Sequence, residues 1–203
     1  MIERLKNILV SPKTEWLTIE KENAPHLKVL TTYVAPLALI PAIAAFIGYG
    51  LIGVSVGFGF ASVKYASVEL GIRMAIIQYV SMILGVYISA FVINILAENF
   101  GAKKNLNQAF SLVAYAYTPM FVAGIFYILP SLSWLAMIAG IYGLYLLYVG
   151  LQPMMKAPAD KQSTYFVVSL IVMIVVGIVL SLILTAILYP KMGFGLGDFN
   201  FSL

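Results

Sequence analysis

The stretch Tyr142–Tyr165, YGLYLLYVGLQPMMKAPADKQSTY, carries a long apolar segment directly into a short basic loop. Tyr142, Tyr145 and Tyr148 recur at steps of three, so one side of a helix would carry three phenol rings whose hydroxyls need partners. Pro153 removes a backbone donor and Pro158 repeats the interruption, which predicts that the helix stops there. Lys156 and Lys161 supply positive charge where the chain would leave lipid. An apolar helix that ends in lysines reads as a membrane span, and the rest of the chain repeats the pattern.

The 203 residues are 62% apolar and 10% charged, with a mean hydropathy of +0.99, too few polar groups to cover a water-exposed surface. The 12 Lys and Arg fall in ones and twos beside apolar runs, with no basic block or stripe. They read as topology signals and argue against a nucleic-acid partner. Without cysteine there is no disulfide framework, thiolate metal site or Cys nucleophile. With His26 as the single histidine, a multi-histidine metal site within one chain is excluded, and no cofactor is expected.

Five apolar runs reach the ~20 residues needed to cross hydrocarbon. They fall at residues 29–54, 72–97, 109–129, 132–151 and 165–189, which predicts an all-α polytopic membrane protein with a short amphipathic segment, residues 1–28, ahead of it. In that segment Ile2, Leu5, Ile8 and Leu9 share a helical face, while Ser11 and Pro12 open a second short helix in which Trp16 suits an interfacial anchor. The bland alternative is a loosely attached tail with an occasional helical turn. No apolar signal-peptide core precedes the first run, so that run is expected to direct insertion itself.

Pro36 and Pro41 predict a kink in the first span, and Pro119 removes a donor near the middle of the third. Gly85 and Ser89 on the second span, and Ser169, Gly177, Ser181 and Thr185 on the fifth, form small-residue faces suited to helix packing or oligomerisation. Residues 55–71 read as a connection of mixed polarity, and 190–203 as a tail rich in Gly and Phe. Spans three and four, separated by Pro130 and Ser131, read as an antiparallel hairpin. With the N-terminus inside, nine Lys and Arg face the cytoplasm and only Lys64, Arg73 and Lys191 lie outside, which predicts an extracytoplasmic C-terminus.

None of the eight carboxylates lies well inside an apolar run, which disfavours an ion-coupled carrier. Serines within the spans have no His or Lys beside them to act as base, which disfavours an intramembrane hydrolase. The remaining candidates are Tyr115, Tyr117, Thr118 and Pro119 on the third span with Tyr142, Tyr145, Tyr148 and Gln152 on the fourth, which would form a polar seam between neighbours. Their hydroxyls either satisfy one another and the backbone, or line a hydrated crevice for a lipid headgroup or small solute. Lys156 and Lys161 serve either as positive-inside anchors or as contacts to anionic lipids or a partner.

The run Gln108, Ala109, Phe110, then Ala114, Tyr115, Ala116, Tyr117, Thr118, Pro119 and later Leu129, Pro130 resembles the third span of the Yip (Ypt-interacting protein) membrane family. The run from Tyr142 through Leu144–Tyr148, Gly150, Leu151, Pro153, Met155, Lys156, Pro158 and Lys161 to Tyr165 is similar to that family's fourth span and following loop. The resemblance extends from about Pro12 to Tyr189. It implies a five-span protein with a cytoplasmic N-terminus and no catalytic activity. Eukaryotic members are associated with Rab-type GTPases and carry long cytoplasmic N-terminal regions, so the short segment here resembles the prokaryotic branch, of a bacterial or archaeal cytoplasmic membrane. The expected role is a scaffold or membrane organiser working through lipids or a protein partner. The alternative is a small permease or lipid-handling protein with its crevice between spans three and four.

Overall fold

The computed structural model describes residues 2–58 and 61–188, so the Gly- and Phe-rich tail lies outside the described residues. Two short helices, α1 (Ile2–Val10) and α2 (Pro12–Glu22), precede five that are long and apolar enough to cross a membrane. These are α3 (His26–Ile52), α4 (Val68–Leu96), α5 (Leu106–Ile128), α6 (Pro130–Met155) and α7 (Gln162–Leu188). Between α3 and α4 the expected plain connection is an antiparallel ribbon of β1 (Val54–Phe58) and β2 (Ala61–Tyr65), paired from Val54↔Tyr65 to Phe58↔Ala61. The alternating V-S-V and A-S-V patterns at residues 54–56 and 61–63 were the signal for it.

The proline positions explain the irregular helices. Pro36 has no N–H and crowds the preceding turn, and α3 widens into a π-helical stretch at Leu30–Val34 just before it. Pro119 likewise withholds a donor, and α5 breaks at Tyr117 between Leu106–Ala116 and Thr118–Ala123, then tightens into a 3-10 turn at Gly124–Ile128. Pro153 does not stop α6 as expected. It falls in the last turn, where a single missing hydrogen bond is tolerated, and the helix runs on to Met155 before Lys156 turns left-handed at φ 54°.

α5 is the centre of the bundle. Some 72% of its apolar window is buried, against 11% for α7, because α3, α4 and α6 all pack on it. Its N-terminus also ties the neighbouring helix ends together. Asn105 caps α5 by accepting from the N–H groups of Asn107 and Gln108 at 3.1 and 3.2 Å. Asn107 Oδ1 in turn accepts from the backbone N–H of His26 at 3.0 Å and so caps α3. The N–H of Lys103 donates to the carbonyl of Met155 at 2.7 Å, closing the end of α6. α7 is held mainly by Tyr165, which donates to the Ile93 carbonyl on α4 and stacks on Phe100 with ring centroids 5.2 Å apart.

At the ribbon end the backbones of α3 and α4 touch. A Cβ on Gly71 would sit 2.6 Å from Gly50 Cα and 2.9 Å from the Phe46 carbonyl oxygen, a clash that neither backbone can relieve without moving. On α7 the expected packing stripe is only partly realised. Ser169 is buried, but Gly177 has nothing within 4 Å of where its Cβ would be, because α7 lies at the edge of the bundle; the side chains of Ser181 and Thr185 fall outside the described residues. Gly71→Val is therefore expected to destabilise the protein by about 1–3 kcal/mol through overpacking. Gly177→Ala is expected to stay within about 0.5 kcal/mol of wild type. Thermal unfolding in detergent, followed by circular dichroism, checks both.

Candidate functional site

α1 and α2 are joined through Ser11 alone, and Arg4 shows how they fold back on each other. Its guanidinium donates from Nη1 to Glu15 Oε1 at 2.6 Å and from Nη2 to Glu22, two carboxylates a heptad apart on α2. Burial draws the pKa of Arg4 down, but the hydrogen bond to Glu22 and the charges of Glu22 and Glu15 more than offset it, so the group is held above its ordinary value. Glu15 lies outside every apolar run, as the sequence shows, yet it is only 8% exposed, because the fold-back delivers Arg4 to it across eleven residues.

The paired helices pack on the bundle as a unit. They run along α6. The hydroxyl of Tyr142 donates to the Leu9 carbonyl at 2.7 Å, the Trp16 ring rests over Gly150, and Lys156 Nζ meets Glu20 Oε1 at 2.8 Å. Tyr142 and Lys156 stand roughly 21 Å apart along α6 at 1.5 Å of rise per residue. The turn at Val10–Pro12 therefore stands beside the middle of α6, roughly 21 Å from its Lys156 end. At that turn Val10 is 72% exposed.

Trp16, expected as an interfacial anchor, is fully buried. The reason is Gly150, where a Cβ would stand 2.6 Å from the indole ring and 2.6 Å from Leu112, so the absent side chain makes the seat. Next to it α1, α2, α3 and α5 meet in an aromatic and charged cluster. Tyr115 packs edge-on against Tyr33 with centroids 4.6 Å apart, and Arg4 lies over the Tyr115 ring at 5.7 Å. Tyr33 and Thr118 share a buried hydrogen bond of 2.7 Å, with Pro119 buried beside Thr118.

The other tyrosines point elsewhere. Tyr117 shares a hydrogen bond of 3.3 Å with Ser89 on α4, above Gly85. Tyr145 stacks on Tyr142 at 5.7 Å, and Tyr148 meets Ser163 of α7 at 3.1 Å. Gln152 and Lys161 are exposed. Among the described residues no hydrogen bond joins a tyrosine of α5 to one of α6; each helix partners with a third element. Tyr33, Arg4, Glu15 and Trp16 are the site residues that sequence reading missed. The signal available was Arg4 and Glu15 on the polar faces of two helices too short to be stable alone.

The Yip1 domain model matches residues 6–187, nearly the whole of this architecture. The chain belongs to the Yip1 family. The match starts within α1, so most of the α1–α2 pair lies inside the Yip1 domain. The chain is similar to inner membrane protein YohC of Escherichia coli, from strains K12 and O6:H1, at 31% identity over 144 residues, covering 69% of this chain and 72% of each relative. No solved structure matches it. With its five apolar spanning helices, this Yip1-family chain is an integral membrane protein.

Arg4→Ala leaves Glu15 buried without its partner and is expected to weaken the docking of α1 and α2 by about 1.5–3 kcal/mol. Trp16→Ala is expected to cost about 3–5 kcal/mol by emptying the seat over Gly150. Hydrogen exchange should then speed up in the amides of residues 2–22 while those in the middle of α4 keep their protection.

Proposed function

We propose that this protein is a non-enzymatic membrane organiser of a prokaryotic cytoplasmic membrane, and that it works by widening one leaflet. The observation that carries the reading is the docking of the α1–α2 pair along the half of α6 that ends at Lys156, which in this reading puts the pair in one half of the bilayer. Helices with side chains are about 10–12 Å across. Five helices therefore cross the far half of the bilayer, whereas seven share the near half, and a cross-section that differs between leaflets favours curvature.

The near half is the cytoplasmic one in this reading. Nine of the 12 Lys and Arg belong to the segments at the α1–α2 end, and Lys103, Lys104, Lys156 and Lys161 among them would meet anionic headgroups. Two groups capable of nucleophile or base chemistry are each hydrogen-bonded to a neighbour. Ser89 is bonded to Tyr117, and His26 Nδ1 lies 2.8 Å from Asn107 Oδ1. YohC, by its name an inner membrane protein, is consistent with the location.

The test is reconstitution of the whole protein into vesicles containing anionic lipid. Wild type is expected to lower the mean vesicle diameter, or to concentrate in the most curved vesicles. Gly150→Leu, which fills the seat of Trp16 and expels α2, is expected to lose that effect while keeping its five spans. Equal behaviour of the two proteins would sink the wedge reading. For orientation, a reporter fused after Leu203 is expected to be active only outside the cytoplasm, and strong cytoplasmic labelling would reverse the assignment.

A further inference from the structure

On the side of α5 away from the α1–α2 pair, a cavity of about 210 Å³ opens between α4, α5, α6 and α7. Its floor is buried and its mouth is exposed. Ser89, Ala116 and Leu147 lie at the bottom, whereas Leu144, Ile174 and Gly177, on the two helices that flank the opening, are exposed. Gly85, Tyr117 and Gly143 each stand near the midpoint of their helix, and Gly177 just beyond the midpoint of α7. The opening therefore faces sideways at the depth of the bilayer midplane.

The chemistry of the lining selects the occupant. Among the described residues, Ser89 and Tyr117 contribute the only side-chain polar atoms of the lining apart from the methionine sulfurs, and their hydroxyls bond each other at 3.3 Å, so these atoms make no unmet demand on a polar solute. Apolar cavities of about 150 Å³ stay dry and take small hydrocarbons instead of water. Headgroups do not reach the midplane; the ends of acyl chains do. Nothing in the wall obstructs a chain at the mouth, since Gly177 leaves open space where a side chain would stand. We infer that this crevice binds the terminal segment of one phospholipid acyl chain, entering between α6 and α7. The inference rests on the membrane placement alone and stands whether or not the α1–α2 pair bends the bilayer.

The experiment uses the whole protein in nanodiscs doped with a phospholipid carrying a diazirine at the end of one acyl chain, with crosslinks mapped by mass spectrometry. The expected result is labelling concentrated on crevice residues such as Leu144 and Met173. It should exceed several-fold the labelling of the more open apolar groove between α3 and α4 at Leu39 and Ile76. Gly177→Leu, whose Cβ has nothing within 4 Å and whose side chain would narrow the mouth, should remove the concentrated labelling; Val175→Leu, exposed on α7 but outside the crevice, should not. Labelling spread over both grooves in proportion to exposure would overturn the proposal, even with no variant made. Unchanged labelling in Gly177→Leu would overturn it too, as would preferential labelling by a headgroup-linked diazirine. If a free diazirine fatty acid at equal membrane concentration labels the crevice more strongly than the phospholipid, the occupant is a free fatty acid and the phospholipid assignment falls.

Discussion

Hydrocarbon offers no hydrogen bonds, so a spanning helix that is broken in the middle must be enclosed by protein. α5 is such a helix. Pro119 forces the break at Tyr117, and the other elements are placed so that this stretch does not meet lipid. α3, α4 and α6 surround it, and its hydroxyl-bearing residues find partners on three sides: Thr118 with Tyr33, Tyr117 with Ser89, and Tyr115 under the guanidinium of Arg4. The apolar outer faces of α4, α6 and α7 follow from the same arrangement. They have nothing polar to shield and are left to the bilayer.

The break also divides α5 into two working sides. Tyr115 and Thr118 face the end where α1 and α2 insert, and Tyr117 turns toward α4 and the crevice. One side carries charge against the bundle, made tolerable because Arg4 is matched by two carboxylates and lies over the Tyr115 ring. The other side is apolar with one closed hydroxyl pair. The proposed wedge and the proposed chain-binding crevice thus sit back to back on a single helix, and both touch α6, through Gly150 on one side and Gly143 on the other. The Yip1 domain match covers most of the α1–α2 pair and all of the crevice.

Composition and apolar run lengths were enough to establish a five-span, all-helical membrane protein, because crossing hydrocarbon demands an unbroken apolar stretch and such a stretch is visible locally. The positions of Pro36 and Pro119 marked the irregular turns for the same reason, since a missing N–H is a property of one residue. The ordered Tyr, Thr, Pro and Lys motifs carried the family resemblance. What a residue lacks, or how long a run is, can be counted along the chain.

Tertiary structure decided everything that depends on what stands opposite a residue. Trp16 reads as an interfacial anchor until Gly150 supplies a hole for it, and nothing beside Glu15 in the chain announces that the fold-back brings Arg4 to it. Tyr115 and Tyr142 look like partners on adjacent spans, yet one pairs across α3 and the other holds the carbonyl of Leu9. Gly177 looks like a packing residue and faces open space. The sequence by itself determined that the chain lives in lipid and how many times it crosses, because transfer into hydrocarbon is set residue by residue. Only the packed helices decided that α1 and α2 enter one half of the bundle and that a crevice opens in the other side, because those outcomes depend on pairs of residues far apart in the chain.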